Sequence, residues 1–203
     1  MIKSFLRLGS YLFHPLWLST YAIVFYFSYS GFMYTYENML AKIFATIILT
    51  VFLPLLFLIL LKPLKIIESL HLNDVKERRI PLLFFTSVTA FILNFIFDPI
   101  QYKIPFYFFS AVFFTGIICI LLSFLNYKIS LHSAGISSIS TFIIAFSLFY
   151  QTQTLIFVAL SIFATGWVLS SRLTLKAHNL NELITGLILG TGSQLIFVQF
   201  WYN

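Results

Sequence analysis

Two of the four histidines in this chain stand in polar clusters whose spacing can do acid–base or nucleophilic work. His178 and Glu182 are four residues apart. Where the chain is helical, that spacing puts both on one face, and the carboxylate accepts the imidazole N–H and fixes its tautomer. The other ring nitrogen is then free as base, ligand or nucleophile. Arg172, six residues ahead of His178, offers the planar fork that suits phosphate. A second cluster holds Ser130, His132 and Ser133, and a third, residues 74–79, holds Asp74, Lys76, Glu77, Arg78 and Arg79. The same residues also have a plainer reading, with Arg172 and Lys176 as basic anchors at a membrane face and His178 as a capped interfacial histidine.

The composition says what positions these clusters. The 203 residues are 60% hydrophobic and 9% charged, with twelve basic and six acidic side chains. A soluble domain carries about a quarter charged residues, so lipid must cover most of this surface. The expected fold is an all-α polytopic membrane bundle of about six to seven transmembrane helices, forming one integral membrane domain over residues 1–203. Candidate spans are 16–34, 41–61, 81–99, 105–125, 131–150, 154–171 and 182–201. Lys3 and Arg7 precede the first apolar run in the order of a secretory leader. No small-x-small cleavage site follows, so the first span is expected to be retained, and its tyrosines predict a place at the bundle edge. Pro54 predicts a kink in the second span. Residues 62–79 interleave Ile66, Ile67, Leu70 and Leu72 with charge, which predicts a short amphipathic helix in the head-group plane.

Charge sets the orientation. Lys3, Arg7, Lys62, Lys65, Lys76, Arg78, Arg79, Lys128, Arg172 and Lys176 fall on one side of the predicted spans, and only Lys42 and Lys103 on the other. The positive-inside rule then makes the first side, with the N-terminus and all three polar clusters, the cytoplasmic face of a cell membrane. The basic residues are scattered through short loops, so no nucleic-acid partner is expected, and membrane lipids or phosphate esters are. Cys119 is the only cysteine, which excludes an internal disulfide and a multi-thiolate zinc site. Nothing in the sequence excludes a homo-oligomer.

The third-cluster stretch Ser171-Arg172, then His178, Glu182, Gly186 and Gly190, resembles the third signature of the type 2 phosphatidic acid phosphatase superfamily. That signature is Ser-Arg, five residues, His, three residues, Asp, with glycines on the next helix. The second signature, Pro-Ser-Gly-His, resembles Ile129-Ser130-Leu131-His132, and the first is echoed by Lys76-Glu77-Arg78-Arg79-Ile80-Pro81. The resemblance spans residues 76–190 and implies a phosphatase-like core over about 62–201. It implies that His178 attacks phosphorus, Glu182 orients it, and His132 protonates the leaving oxygen. Arg172, Arg79, Lys76 and Ser130 would hold the phosphate, with no metal and no cofactor. The implied substrate is a lipid phosphate or an isoprenyl pyrophosphate.

The chain departs from that pattern at several positions. Leu131 replaces the glycine that lets backbone approach phosphate, Glu182 replaces the Asp, and Leu72 stands where the first-signature lysine would be. Two predicted spans separate the first and second clusters. A catalytically inactive bundle that binds lipid phosphates or a protein partner is therefore the alternative expectation. His14 beside Pro15 reads as an interfacial residue, and His71 as a solvated one. Asn73-Asp74 with Glu77 faintly resembles the aspartate-rich motif of intramembrane prenyltransferases, without a second acidic motif to complete it.

Overall fold

A computed structural model describes residues 2–31, 34–70, 72, 74–151 and 153–201. Within them every regular element is helical: α1 (Ile2–Leu12), α2 (Pro15–Tyr29), α3 (Tyr36–Leu61), α4 (Arg79–Phe95), α5 (Lys103–Phe124), α6 (Leu131–Tyr150), α7 (Leu155–Thr174) and α8 (Leu180–Val198). Helices α3, α5, α6, α7 and α8 are long and apolar enough to cross a membrane. α2 and α4, with 15 and 17 residues, are shorter than the other helices expected to span.

Local chemistry starts and bends these helices. Pro15 opens α2 at a position where its missing N–H is no loss. Thr35 caps α3 by accepting from the Asn38 N–H. The kink expected at Pro54 takes the form of a π-helical turn over Ile48–Phe52, in which the Leu53 N–H reaches back to the Ile48 carbonyl. Widening the helix one turn before the proline makes room for a ring that cannot donate.

The most buried of the long helices is α6, packed against α8, α7 and α2. Its inward stripe is small: Ser133, Ala134 and Ser137 face Gly186 and Gly190 of α8. A methyl group on Gly186 would lie 2.7 Å from the Ser130 carbonyl oxygen, and one on Gly190 would run into that of Ala134. The two backbones are thus closer than any larger residue allows. Lower in the bundle Phe108, Phe142 and Phe146 fill the core with Ile23 and Tyr26 of α2. α2 is therefore central, against the edge position expected from its tyrosines. Those tyrosines point inward or along the ends, as in the Tyr26–Tyr34 hydroxyl pair at 2.8 Å. The outer faces of α3 and α7, including Phe44, Phe52, Leu56 and Leu160, are exposed hydrocarbon.

The amphipathic helix expected within residues 62–79 is not there. Its described residues form turns ending in a 3₁₀ turn, Lys76–Arg78. Pro63 lacks the N–H a helix would need, and Lys65 and Leu72 take φ of 58° and 47° in the left-handed region. Side chains serve the backbone instead, with Glu77 Oε1 accepting from the Glu68 N–H at 2.7 Å and Arg78 Nε donating to the Leu72 carbonyl at 2.9 Å. An amphipathic helix does exist, but as α1. It buries Gly9 and Ser10 against α7 and leaves Phe5, Leu8, Tyr11 and Leu12 exposed. His71 and Asn73 lie outside the described residues.

The connections sort to two ends. At one end Arg78 Nη1 donates to the Ile129 carbonyl at 3.1 Å and the Ser130 N–H to the Glu182 carbonyl at 3.3 Å. These bonds draw Arg78, the 125–130 connection and the start of α8 together. At the other end the Tyr34 hydroxyl donates to the Gln101 carbonyl.

Candidate functional site

The turn between α7 and α8 builds the most ordered part of the site. Asn179 caps α8 by accepting from the Glu182 N–H at 2.9 Å, and Glu182 reaches back to the Asn179 N–H. This reciprocal cap suits a side chain as long as Glu at the third helical position, which gives a physical reason for Glu182 where the resembled signature has Asp. His178 precedes the cap, so its pairing with Glu182 is not the helix-face pair that four-residue spacing suggested. Its Nδ1 donates to Glu182 Oε2 at 2.6 Å across the helix start. That bond leaves Nε2 as the unprotonated nitrogen. Burial pushes the His178 imidazole down to about 4 against the pull of Glu182, which keeps the ring neutral.

Facing it, Ser130 is the N-cap of α6, its hydroxyl accepting from the Ser133 N–H at 3.3 Å. His132 sits in the first turn of α6. Ser133 Oγ donates to the Leu183 carbonyl at 2.6 Å, which ties the start of α6 to the start of α8. The close glycine packing below therefore sets the spacing between His132 and His178.

The basic residues divide differently from the expectation. Arg79 turns away, donating to the Ser123 carbonyl at 3.1 Å and to Asn126 Oδ1 at 3.2 Å, with its guanidinium over the Phe124 ring. Lys76 is exposed. Arg78 is the one that turns inward, buried and lining the cavity described below. Adjacent residues entering a helix point about 100° apart, so only one of the pair can face the bundle. Its burial lowers the Arg78 pKa, with the Glu182 carboxylate pulling the other way. The half-buried Lys128 is lowered by burial and by the neighbouring Arg78.

Arg78, His132, Arg172 and His178 all line one cavity of about 230 Å³. His14, placed by the start of α2, lines it as well. Sequence reasoning missed both Arg78 and His14 as site residues, and the proline beside His14 was the only signal of a fixed ring. Away from this polar end the walls become hydrocarbon: Leu18, Pro54, Phe57, Phe84, Phe108 and Val112. Arg172 stands half-buried in this lining. Its Nε is buried without a partner, and among the described residues no carboxylate pairs with its guanidinium. A partly desolvated cation without a protein counter-charge is stabilised when an anion meets it. Glu182 already accepts from His178 and Asn179. The polar end can thus accept a negative group, and the apolar walls a hydrocarbon chain.

Searches against family models, curated proteins and solved structures return no match for this chain.

Proposed function

We propose that this chain is a divergent member of the type 2 phosphatidic acid phosphatase superfamily, a multi-pass membrane protein that hydrolyses a lipid phosphate or polyprenyl pyrophosphate without metal. In this reading all of α2 to α8 cross the bilayer, seven spans in total. The loops that alternate between the two ends support that count, because α2 and α4 each run from one loop cluster to the other. The site end is cytoplasmic, since the exposed Lys62, Lys65, Lys76 and Lys176 gather there beside the site's own cations.

The observation that carries the reading is the unpartnered Arg172 guanidinium sharing one cavity with two histidines and a hydrocarbon wall. Arg172 and Arg78 hold the non-bridging phosphate oxygens, and their charge offsets what develops in the transition state. His178 Nε2 attacks phosphorus as the bond to the leaving oxygen breaks, and His132 supplies the proton that leaves with it. The product of this step is a phosphohistidine. Water, deprotonated by His132, then attacks the phosphohistidine and releases inorganic phosphate and neutral His178. The free N–H groups at the start of α6, beyond the one Ser130 caps, lie where a helix end favours anions.

The experiment is phosphate release by purified protein in detergent with chelator present, from phosphatidic acid and from an isoprenyl pyrophosphate. Release is expected from at least one, and His178→Ala is expected to abolish it. Release that survives His178→Ala overturns the histidine mechanism. Binding without release would favour the silent bundle, the reading supported by Leu131 and by the outward Arg79.

A further inference from the structure

We propose that His14 is a ligand-contacting residue of this site, its Nε2–H donating to the anionic phosphoryl head of an amphiphile whose tail occupies the hydrocarbon part of the cavity. The inference rests on the anion-binding half of the proposed function and is independent of turnover.

His14 shares the polar end of the cavity with Arg78, His132, Arg172 and His178, although it stands outside every polar cluster of the sequence. Its tautomer follows from the helix it caps. Nδ1 accepts from the Leu16 N–H at 3.4 Å, so the ring proton is on Nε2, and among the described residues no protein acceptor takes it. Burial, and then the neighbouring Arg172, hold the His14 pKa below its ordinary value. A neutral N–H donor beside Arg172 adds a hydrogen bond to an anion without adding another cation to an already positive pocket.

The ring is also held firmly. It stands edge-on to the His132 ring, centroids 5.1 Å apart and planes at 86°. The preceding helix is locked onto α7 beside Arg172, with the Ser10 and Ser171 hydroxyls 2.6 Å apart and Phe5 stacked on Trp167 at 4.4 Å. A Cβ on Gly9 would lie 2.8 Å from Trp167 Nε1, so this docking depends on the absence of a side chain there. α1 is in this view the brace that keeps a donor in the pocket.

The test uses full-length wild type, His14→Ser and His14→Asn in detergent. Each is titrated calorimetrically with decylphosphonate, a non-hydrolysable amphiphile, and with inorganic phosphate, and each is melted. Serine keeps a favoured capping oxygen but cannot reach the ligand, whereas asparagine keeps both a cap and a shorter donor. His14→Ser is expected to weaken decylphosphonate binding about tenfold or more, with an unfolding midpoint close to wild type, and His14→Asn to fall between. Unchanged binding by His14→Ser overturns the proposal and leaves His14 a cap. Wild type that does not bind decylphosphonate overturns it too. Inorganic phosphate binding as tightly as decylphosphonate overturns the amphiphile assignment. His14-dependent binding without phosphate release from any lipid leaves this inference standing and removes the phosphatase reading. Release with no effect of His14 on binding removes this inference alone.

Discussion

His178 Nδ1 and Glu182 Oε2 lie 2.6 Å apart across the start of α8, a bond that exists because Glu182 is also the returning half of a helix cap. The two duties can be separated. Glutamine serves a capping box as well as glutamate does, but it carries no charge to stabilise the imidazolium. Glu182→Gln is therefore expected to keep the unfolding midpoint within a few degrees of wild type while lowering kcat about 100-fold or more. Parallel measurement of melting and phosphate release checks it. Equal loss of both would reduce Glu182 to a cap.

The pH profile follows from the depressed His178 imidazole, pushed down to about 4 by burial. Protonation would remove the lone pair that attacks phosphorus in the proposed mechanism, so activity is expected to be lost as pH falls through the folded-state pKa. The acid limb of kcat/KM is thus expected near pH 4 to 5, below the region near 6.5 where an exposed imidazole titrates. An acid limb centred near 6.5 in the wild type would contradict the buried, neutral ring.

Arg172 and Arg79 were both phosphate-binding candidates in the sequence and differ in the structure. Removing Arg172, which has no protein carboxylate of its own, is expected to lower kcat/KM about 100- to 1,000-fold. Arg79→Ala breaks bonds to Ser123 and Asn126 and is expected to cost about 1 kcal/mol of stability with kcat/KM nearly unchanged. Steady-state kinetics on the two variants decide it, and the reverse ranking would mean that Arg79 swings inward when substrate binds.

What was legible in the sequence depended on range. The all-helical fold and most of the long apolar helices follow from composition and hydropathy, which are local. The His178–Glu182 pair was also legible, because both residues belong to one short turn. Arg78 was not, because the choice between two adjacent arginines depends on how the chain enters α4. The turn structure of the described residues between 62 and 75 was hidden by an amphipathic pattern that Pro63 and side chain to backbone bonds override. His14 was invisible for a different reason, since its partners His132 and Arg172 are more than a hundred residues away in the chain.

Two glycines of α8 separate packing from propensity. Gly190 faces the Ala134 carbonyl with no room for a methyl group, whereas nothing lies within 4 Å of a Cβ at Gly192. Gly190→Ala is expected to destabilise by about 1 to 3 kcal/mol and to lower activity by moving α8, and His178 with it, away from His132. Gly192→Ala is expected to be neutral or to stabilise by up to about 1 kcal/mol, since alanine favours helix. Unfolding of both in the same detergent checks the contrast, and similar effects would mean that α6 and α8 are not in close contact.

Sidedness can be tested with single cysteines because Cys119 is buried and gives little background. Lys62 and Ile100 are both exposed and lie in connections at opposite ends of the bundle. With the site end cytoplasmic, an impermeant maleimide applied to intact cells is expected to label Ile100→Cys and to leave Lys62→Cys untouched until the cells are opened. The basis is the exposed lysines at positions 62, 65, 76 and 176, which contribute to the inside bias whatever the proposed phosphate site needs. Labelling of Lys62→Cys from outside would move the cavity mouth to the outer face. The substrate would then be an outer-leaflet phosphate, and the cations of the site would have to outweigh the topological rule they otherwise obey.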